Sequence, residues 1–193
     1  MNQLNKVVFL DRDGTLNPDP GYISTIEDYE FYPDTLSSLS TLVERGYKFV
    51  IVTNQSGIAR GFIQKDALDE IHRYIETKFS SAGISLLGIY CCTHHPEEDC
   101  NCRKPATGLI EDAATQHNID LSSAVMIGDT VADVQAGKSL GMSTCLVRTG
   151  RGRKEELILR RNRIEPDFVG DNLTACTSFI LGESTVMDEE FNG

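Results

Sequence analysis

Three aspartates could form a site for phosphoryl chemistry. Asp11 and Asp13 lie two residues apart at the end of the apolar run KVVFLD (6–11), and Asp129 ends a second apolar run, AVMIGD (124–129). If both runs are strands of one parallel sheet, their carboxyl ends bring the three carboxylates to the same crevice. Several carboxylate oxygens in one crevice suit Mg²⁺. The pattern therefore predicts a magnesium site.

Two further residues could hold phosphate oxygens at the same edge of the sheet. Thr53 offers a hydroxyl and Lys104 a compact positive charge. Gly14 allows a tight turn, so we expect amide N–H groups there to face an anion. Asp11 can then attack phosphorus and form an aspartyl phosphate. Asp13 can protonate the leaving alkoxide and later take a proton from the hydrolytic water.

Each of these residues also has an ordinary structural explanation. An Asp-x-Asp pair is usually a turn, Lys104 could lie on the surface, and Asp129 could cap the next helix. Taken together, all of them follow the ends of apolar runs in the order that one active site requires. The catalytic interpretation is therefore favoured.

The stretch YCCTHHPEEDCNCRKP (90–105) holds four of the six cysteines. Two pairs, each separated by one residue, offer three thiolates and one imidazole, a set that fits a closed, tetrahedral, structural zinc site: Cys92, His94, Cys100 and Cys102. A redox motif would need Cys-x-x-Cys, which this stretch lacks. We expect Cys91 to belong to the core and His95 to face a loop or solvent.

Hydrophobic periodicity supplies the elements that position these residues. Short apolar runs predict strands at 6–11, 47–54, 86–92, 124–129, 143–149 and 165–170. Helical spacing predicts helices at 33–47, 65–82, 107–118, 131–140 and 171–182. Alternation of this kind is typical of an α/β fold with one doubly wound, mostly parallel sheet. We expect a single domain over residues 1–182 and an acidic, frayed tail at 183–193.

The composition and charge of the chain limit the classes of molecule that it is expected to bind. The 193 residues carry a net charge of −11, which argues against nucleic acid or an anionic membrane as partner. No apolar run is long enough to span a membrane, and charge appears too early for a signal peptide. We therefore expect a cytoplasmic monomer that acts on a small phosphorylated substrate.

Four motifs resemble those of the haloacid dehalogenase (HAD) superfamily of phosphotransferases: FLDRDGTLN (9–17), IVTNQSG (51–57), CRKP (102–105) and MIGDTVAD (126–133). TNQSGIARG (53–61), CTHHP (92–96) and LVRTG (146–150) narrow the resemblance to its histidinol-phosphate and heptose-bisphosphate phosphatases. The resemblance spans about residues 6–150. It implies a Rossmann-like fold, and the short loops predict that no cap domain is present.

The resemblance also implies roles for individual residues. Asp11 is the implied nucleophile and Asp13 the acid and base, while Thr53 and Lys104 hold the transferring phosphoryl group. Mg²⁺ is bound by Asp11, Asp129 and the carbonyl of Asp13, and zinc by the cysteine and histidine set. The implied substrate-binding residues are Arg12, Asp19, Gly21, Tyr22, Asn54, Gln55, Ser56, Arg60, Arg103 and Thr130. Thr130 stands where the family often has lysine.

Among substrates, the longer motifs favour D-glycero-D-manno-heptose 1,7-bisphosphate, whose second phosphate would explain additional cations at Arg60 and Arg103. Arg151 and Arg153 are interpreted as surface residues. The five-residue gap between His94 and Cys100 keeps histidinol phosphate as an alternative. A phospho-aspartate switch is an alternative from another class, but such a switch needs no acid and base at Asp13.

Overall fold

The computed structural model describes residues 6–183, which form one α/β domain around a six-stranded sheet. The strands are β1 (Val7–Leu10), β2 (Lys48–Asn54), β3 (Leu86–Cys92), β4 (Val125–Gly128), β5 (Ser143–Val147) and β6 (Phe168–Gly170). All five pairings are parallel, in the order β3-β2-β1-β4-β5-β6. The predicted doubly wound parallel sheet is confirmed.

The helices are α1 (Thr35–Val43), α2 (Lys65–Ser81), α3 (Gly108–His117), α4 (Val131–Ser139), α5 (Gly152–Asn162) and α6 (Leu173–Leu181), with a short 3₁₀ turn at Leu121–Ser123. Hydrophobic cores lie on both faces of the sheet. One contains Leu39, Ile75 and Phe79 from α1 and α2, and the other contains Ile110 and Ala136 from α3 and α4. The central strand β1 is buried along its whole length because both faces are covered.

Five helices and six strands lie where the hydrophobic pattern predicts them, but α5 is absent from that prediction. Its sequence, GRKEELILRRN, carries six charged residues, and it buries Glu155 and Glu156 beside Leu159. Because two of its inward positions are acidic, the apolar stripe that reveals most helices is missing. The basic residues at its start are also typical of exposed segments.

The segments that follow β1 and β3 are short and irregular. Residues 11–34 and 93–107 contain no helix and no strand beyond an isolated bridge between Asp13 and Asn17. Neither segment forms a cap domain over the edge of the sheet, in agreement with the sequence analysis. None of the helices within residues 6–183 is long and apolar enough to cross a membrane. The predicted tail lies outside the described residues, except for Glu183.

Candidate active site

A cavity of about 570 Å³ lies at the carboxyl ends of the strands. The chain direction switches between β1 and β4, which are neighbours in the sheet, so the crevice opens where such folds bind ligands. Thirteen of the residues singled out from the sequence line it: Asp11, Asp13, Asp19, Gly21, Tyr22, Thr53, Asn54, Gln55, Ser56, Arg103, Lys104, Asp129 and Thr130. The structure thus brings together residues from four strand ends.

Lys104 lies at the floor of this cavity between two carboxylates. Its Nζ is 2.6 Å from Asp11 Oδ1 and 2.6 Å from Asp133 Oδ1, and it also donates to the carbonyl of Val52. Lys104 is 4 % exposed. Burial alone would lower its pKa, but the two carboxylates raise it, so the ammonium group stays charged.

The Asp11 and Asp129 carboxyls are buried close to other carboxyl groups. Burial raises the pKa of Asp11 to about 7, an effect that Lys104 opposes and Asp133 reinforces. Burial, together with Asp11 and Asp133, raises the pKa of Asp129 to about 8. Burial and neighbouring carboxylates thus disfavour the charged forms of Asp11 and Asp129, and a bound cation relieves that repulsion.

The donor set at this point suits a magnesium ion. Carboxylate oxygens of Asp11, Asp129 and Asp133 lie within 4.8 Å of one another. Asp129 Oδ1 is buried and has no hydrogen-bond partner among the described residues, whereas Asp129 Oδ2 accepts from the Arg151 amide at 2.8 Å. A buried oxygen without a donor is the feature expected of a ligand that binds a hard cation.

The Asp13 carboxylate is not part of this cluster, and it accepts hydrogen bonds from three side chains. The Arg12 guanidinium donates to both of its oxygens, at 3.0 and 2.7 Å, and Asn17 and Gln55 donate at 2.9 and 2.6 Å. Burial works against ionisation of Asp13, but the Arg12 ion pair and these hydrogen bonds outweigh it and lower the pKa. Asp13 is therefore held as an ionised carboxylate that accepts hydrogen bonds only.

The side chain of Arg12 lies below the cavity and does not line it. It is completely buried, pairs with Asp13, and lies 3.4 Å from His72 Nε2 and 6.0 Å from the Tyr29 ring centroid. The prediction that Arg12 contacts substrate does not match this position. Its side chain instead fixes the Asp13 carboxylate. Enclosed by Asp13, His72 and the Tyr29 ring, the Arg12 side chain has no surface open to the cavity.

Gly14 has a different role from the one expected. Its N–H donates to the Asn17 carbonyl at 2.7 Å, so that amide does not face an anion. Gly14 has φ +86°, and a Cβ there would lie 2.1 Å from Asp129 Oδ2. Only glycine lets this turn approach Asp129 so closely.

Two residues that the sequence did not identify complete the cavity wall. Asp133 is 1 % exposed, and besides meeting Lys104 it accepts from the amide and hydroxyl of Thr130 at 3.0 and 2.6 Å, which caps α4. Glu155 of α5 accepts from the Val131 amide at 3.1 Å. Asp133 looks like an ordinary capping residue of the predicted helix 131–140, and only the proximity of Lys104 distinguishes it. Glu155 belongs to α5, a helix that the sequence does not predict.

Arginines occupy three different environments around the cavity. Arg103 lines it, and its Nη1 is buried with no hydrogen-bond partner among the described residues. Arg151 also lines it, although its side chain is 60 % exposed and 3.6 Å from Glu155. Arg60 is exposed and is not among the lining residues. Arg151 is thus exposed, as the surface interpretation expects, and it also forms part of the cavity wall.

The Cys₃His cluster forms a compact donor set beside the cavity: Cys92, His94, Cys100 and Cys102. The sulfur of Cys102 is 3.1 Å from that of Cys92, 3.5 Å from that of Cys100 and 3.1 Å from His94 Nδ1. All six cysteines among the described residues are free thiols. A tetrahedral zinc ion about 2.3 Å from each sulfur holds sulfurs about 3.8 Å apart, a spacing that the Cys92 and Cys100 sulfurs match at 3.7 Å, while the two pairs with Cys102 are closer together.

The cluster is joined to Lys104 through the end of β2. The Gln55 amide donates to the Cys92 carbonyl at 2.7 Å. Asn54 bonds Lys104 twice, accepting from its amide and donating to its carbonyl, both at 3.1 Å. These hydrogen bonds fix the loop that follows the cluster, and this loop places Lys104 next to Asp11.

Comparison with known proteins agrees with this geometry. A family model described as HAD-hydrolase-like matches residues 101–176. The chain is 41% identical over 160 residues to a D-glycero-beta-D-manno-heptose-1,7-bisphosphate 7-phosphatase of Pasteurella multocida, covering 79% of this chain and 87% of that protein. A Helicobacter pylori protein of the same name is 46% identical over 134 residues, with 69% and 78% covered.

A solved structure matches almost the whole chain. It is the D,D-heptose 1,7-bisphosphate phosphatase from B. bronchiseptica, complexed with magnesium and phosphate. The superposition has a TM-score of 0.84 at 32% identity and covers 93% of this chain and 99% of that one. The likeness therefore extends beyond the motifs to nearly the whole fold.

Proposed function

Since this chain belongs to the D-glycero-D-manno-heptose-1,7-bisphosphate 7-phosphatase family of the HAD-like hydrolases, we propose that it removes the 7-phosphate of that sugar bisphosphate. One observation carries the proposal. At the floor of a cavity large enough for the sugar, a buried lysine holds the Asp11 carboxylate 2.6 Å from its ammonium nitrogen. Both relatives named above are called beta-heptose enzymes, so we expect the beta anomer to be preferred.

The proposed reaction begins at Asp11. An Asp11 oxygen attacks the phosphorus at C7, the bond from phosphorus to the sugar oxygen breaks, and an aspartyl phosphate forms. Lys104 and the Thr53 hydroxyl stabilise the charge on the phosphoryl oxygens. The Thr53 oxygen accepts from Gln55 at 2.8 Å, which leaves its own O–H to donate to phosphate.

Asp13 is proposed to move the proton in both half-reactions. To give a proton to the leaving alkoxide, Asp13 must first be protonated, which requires at least one of its hydrogen bonds from Arg12, Asn17 and Gln55 to open; ionised Asp13 then takes a proton from the water that cleaves the aspartyl phosphate. The ionised state held by Arg12, Asn17 and Gln55 is the form needed for the second step. A switch that stores phosphate on aspartate would not need this group.

We propose Mg²⁺ as the resident cation. Asp11 and Asp129 would hold it through their carboxylates, with the carbonyl of Asp13 as the further ligand that the family resemblance implies. The orphaned Asp129 Oδ1 supports this assignment. When bound, the ion screens the negative charges that meet as a phosphate approaches Asp11. Asp133 is already committed to Lys104 and Thr130, and we assign it the positioning of that lysine.

The substrate is proposed to lie between the loops that line the cavity. The unpartnered Arg103 Nη1 supports binding of an anionic or hydroxyl oxygen there. Asp19, Gly21, Tyr22, Asn54, Gln55 and Ser56 remain candidates on the same wall. Thr130 is a weaker candidate because its hydroxyl donates to Asp133. Arg60 would need the loop 57–62 to move before it could reach the sugar.

We propose a structural zinc ion in the Cys₃His cluster. All four ligand positions would be filled by protein atoms, which leaves no open position for chemistry. The hydrogen bonds from the cluster through Gln55 and Asn54 to Lys104 support a role in fixing the lysine. A cytoplasmic location and a monomeric state stay predictions.

The deciding experiment compares kcat/KM for the two anomers of heptose 1,7-bisphosphate with that for histidinol phosphate, in the presence of Mg²⁺. We expect many turnovers per enzyme and a preference for the heptose beta anomer. A higher kcat/KM for histidinol phosphate would reverse the assignment. Release of one phosphate or less per enzyme would instead point to a phospho-aspartate switch.

A further inference from the structure

Two exposed aromatic rings meet at the mouth of the cavity. Tyr22 is 43 % exposed and lines the cavity, and Phe62 is 58 % exposed. Their ring centroids are 4.8 Å apart, and the rings are inclined by 34°. Contact at this distance is favourable for aromatic pairs. The two rings together form an apolar wall beside an otherwise polar site.

Tyr22 depends on its packing neighbours for its position. Its side chain has no hydrogen bond to any residue between 6 and 183, so only van der Waals contacts define where the ring lies. One neighbour is Gly57, where an added Cβ would lie 2.8 Å from Tyr22 Cδ1. The other is Phe62. Because glycine offers no side chain, Phe62 is the aromatic side chain in contact with the ring.

Phe62 is itself tied to the cavity wall. The amides of Phe62 and Ile63 both donate to the Gly57 carbonyl, at 2.8 and 3.1 Å. Gly61, with φ +73°, makes the turn before them, and Ile63 is 3 % exposed and anchors the end of the loop in the core. The backbone that carries Phe62 therefore also forms the part of the wall at Gly57.

We propose that Phe62 is a positioning residue that holds the Tyr22 ring against the sugar of the substrate, a role that rests on the function proposed above. One face of a pyranose presents C–H groups, which pack well on an aromatic ring, while the Tyr22 hydroxyl can bond a sugar hydroxyl. The phosphoryl group is bound independently at Asp11 and Lys104. By holding Tyr22, Phe62 thus affects the binding of the sugar, which is the leaving group, and does not affect the chemical step at phosphorus.

The test compares Phe62→Ala with Phe62→Tyr, which keeps the ring. For heptose 1,7-bisphosphate we expect KM to rise about 2- to 10-fold in Phe62→Ala, with kcat unchanged, and to return to normal in Phe62→Tyr. Inorganic phosphate serves as a second probe, since it fills only the phosphoryl site, and its inhibition constant should not change. Phe179→Ala is the matched control, because Phe179 is also exposed and stacked, on Phe168 of the distant strand β6.

Double substitution distinguishes action through Tyr22 from direct binding. If Phe62 acts through Tyr22, then Tyr22→Ala and the Tyr22→Ala/Phe62→Ala double variant have the same KM. An unchanged KM in Phe62→Ala would overturn the inference, as would parallel changes in KM, kcat and phosphate inhibition, which indicate general loosening. Failure of the wild-type enzyme to hydrolyse heptose bisphosphate would instead reject the proposed function and the inference with it.

Discussion

The Lys104 ammonium nitrogen lies 2.6 Å from Asp11 Oδ1, deep in the cavity and almost out of contact with water. The same ammonium group meets Asp133 at 2.6 Å. Lys104 therefore both offsets the repulsion between buried carboxylates and supplies positive charge where a phosphoryl group would arrive.

Replacement of Lys104 by methionine should lower kcat/KM by about 10²- to 10³-fold, since a preorganised charge at the phosphoryl group is lost. Steady-state kinetics with the sugar bisphosphate measures this effect. Lys48→Met is the control, because Lys48 is exposed at the opposite end of β2. Activity within about threefold of wild type in Lys104→Met would contradict the assigned role.

Asp11→Asn should reduce turnover by about 10⁴-fold or more, because asparagine cannot form the covalent intermediate. The fold should persist, since the substitution preserves shape and removes one of several crowded buried charges. Circular dichroism and thermal unfolding test the fold, and Asp112→Asn in the exposed part of α3 is the matched control. Substantial residual phosphatase activity would show that another residue attacks phosphorus.

Arg12→Met should raise the pKa of Asp13, because the pair at 2.7 Å now holds that pKa low. A carboxylate whose folded pKa is depressed stabilises the protein above its unfolded pKa of about 3.9, and this stability is lost as the pH falls. The difference in unfolding free energy between wild type and Arg12→Met should therefore be largest near pH 7 and shrink below about pH 4.

Chemical denaturation at several pH values measures that difference. Arg12→Lys, which keeps the charge but loses the paired N–H groups, should lie between the two proteins. A difference that stays constant from pH 7 to pH 3 would mean that Arg12 stabilises the fold by packing alone. In that case its contact with Asp13 would have no influence on ionisation.

The sequence predicts most of this site, and the reason is visible at each strand end. Asp11, Thr53 and Asp129 follow buried strands whose apolar runs are unmistakable, so their convergence follows from the topology. Arg12 and Gly14 were misassigned for a different reason. The sequence places them within the motif, but only the packing shows that Arg12 points below the cavity and that Gly14 faces Asp129.

Asp133 and Glu155 line the cavity but are not identified as site residues by the sequence. Asp133 looks like a residue in the first turn of a helix, where acidic side chains are common for local reasons, and Glu155 lies in a charged segment with no helical apolar pattern. Their place in the cavity depends on contacts over long sequence distances, from Asp133 to Lys104 and from Glu155 to Val131. Such contacts leave no periodic pattern, so the sequence cannot separate these two residues from ordinary acidic residues.

The contribution of the Asp11 and Asp129 carboxyls to the stability of the metal-free protein should fall as the pH rises from about 4, the unfolded pKa of aspartate, to about 8. Burial raises the pKa of Asp11 to about 7 and that of Asp129 to about 8, so the folded state binds protons that the unfolded state has already lost. Groups with a raised folded pKa contribute stability at low pH that disappears as they ionise. Thermal unfolding in chelator at pH 5, 6, 7 and 8 tests this trend.

Addition of Mg²⁺ should reverse that loss, because the cation competes with protons for the same carboxylates. The increase in melting temperature on adding Mg²⁺ should be larger at pH 8 than at pH 6. Asp129→Asn should abolish most of the increase, whereas Asp112→Asn should not. An increase of the same size at both pH values would show that Mg²⁺ does not bind at these two aspartates.

Metal analysis of the purified protein should find about one zinc ion per chain, and Cys102→Ser should lose it, since the Cys102 sulfur contacts all three other donors of the cluster. We expect Cys102→Ser to have a lower melting temperature and a reduced kcat, because Asn54 and Lys104 are no longer fixed by an ordered loop. Cys91→Ser is the control, since Cys91 is adjacent in sequence but outside the donor set. Retention of full zinc content by Cys102→Ser, or loss of zinc in Cys91→Ser, would refute the assigned ligands. A zinc-free variant with normal kcat would show that Lys104 reaches Asp11 without help from the cluster.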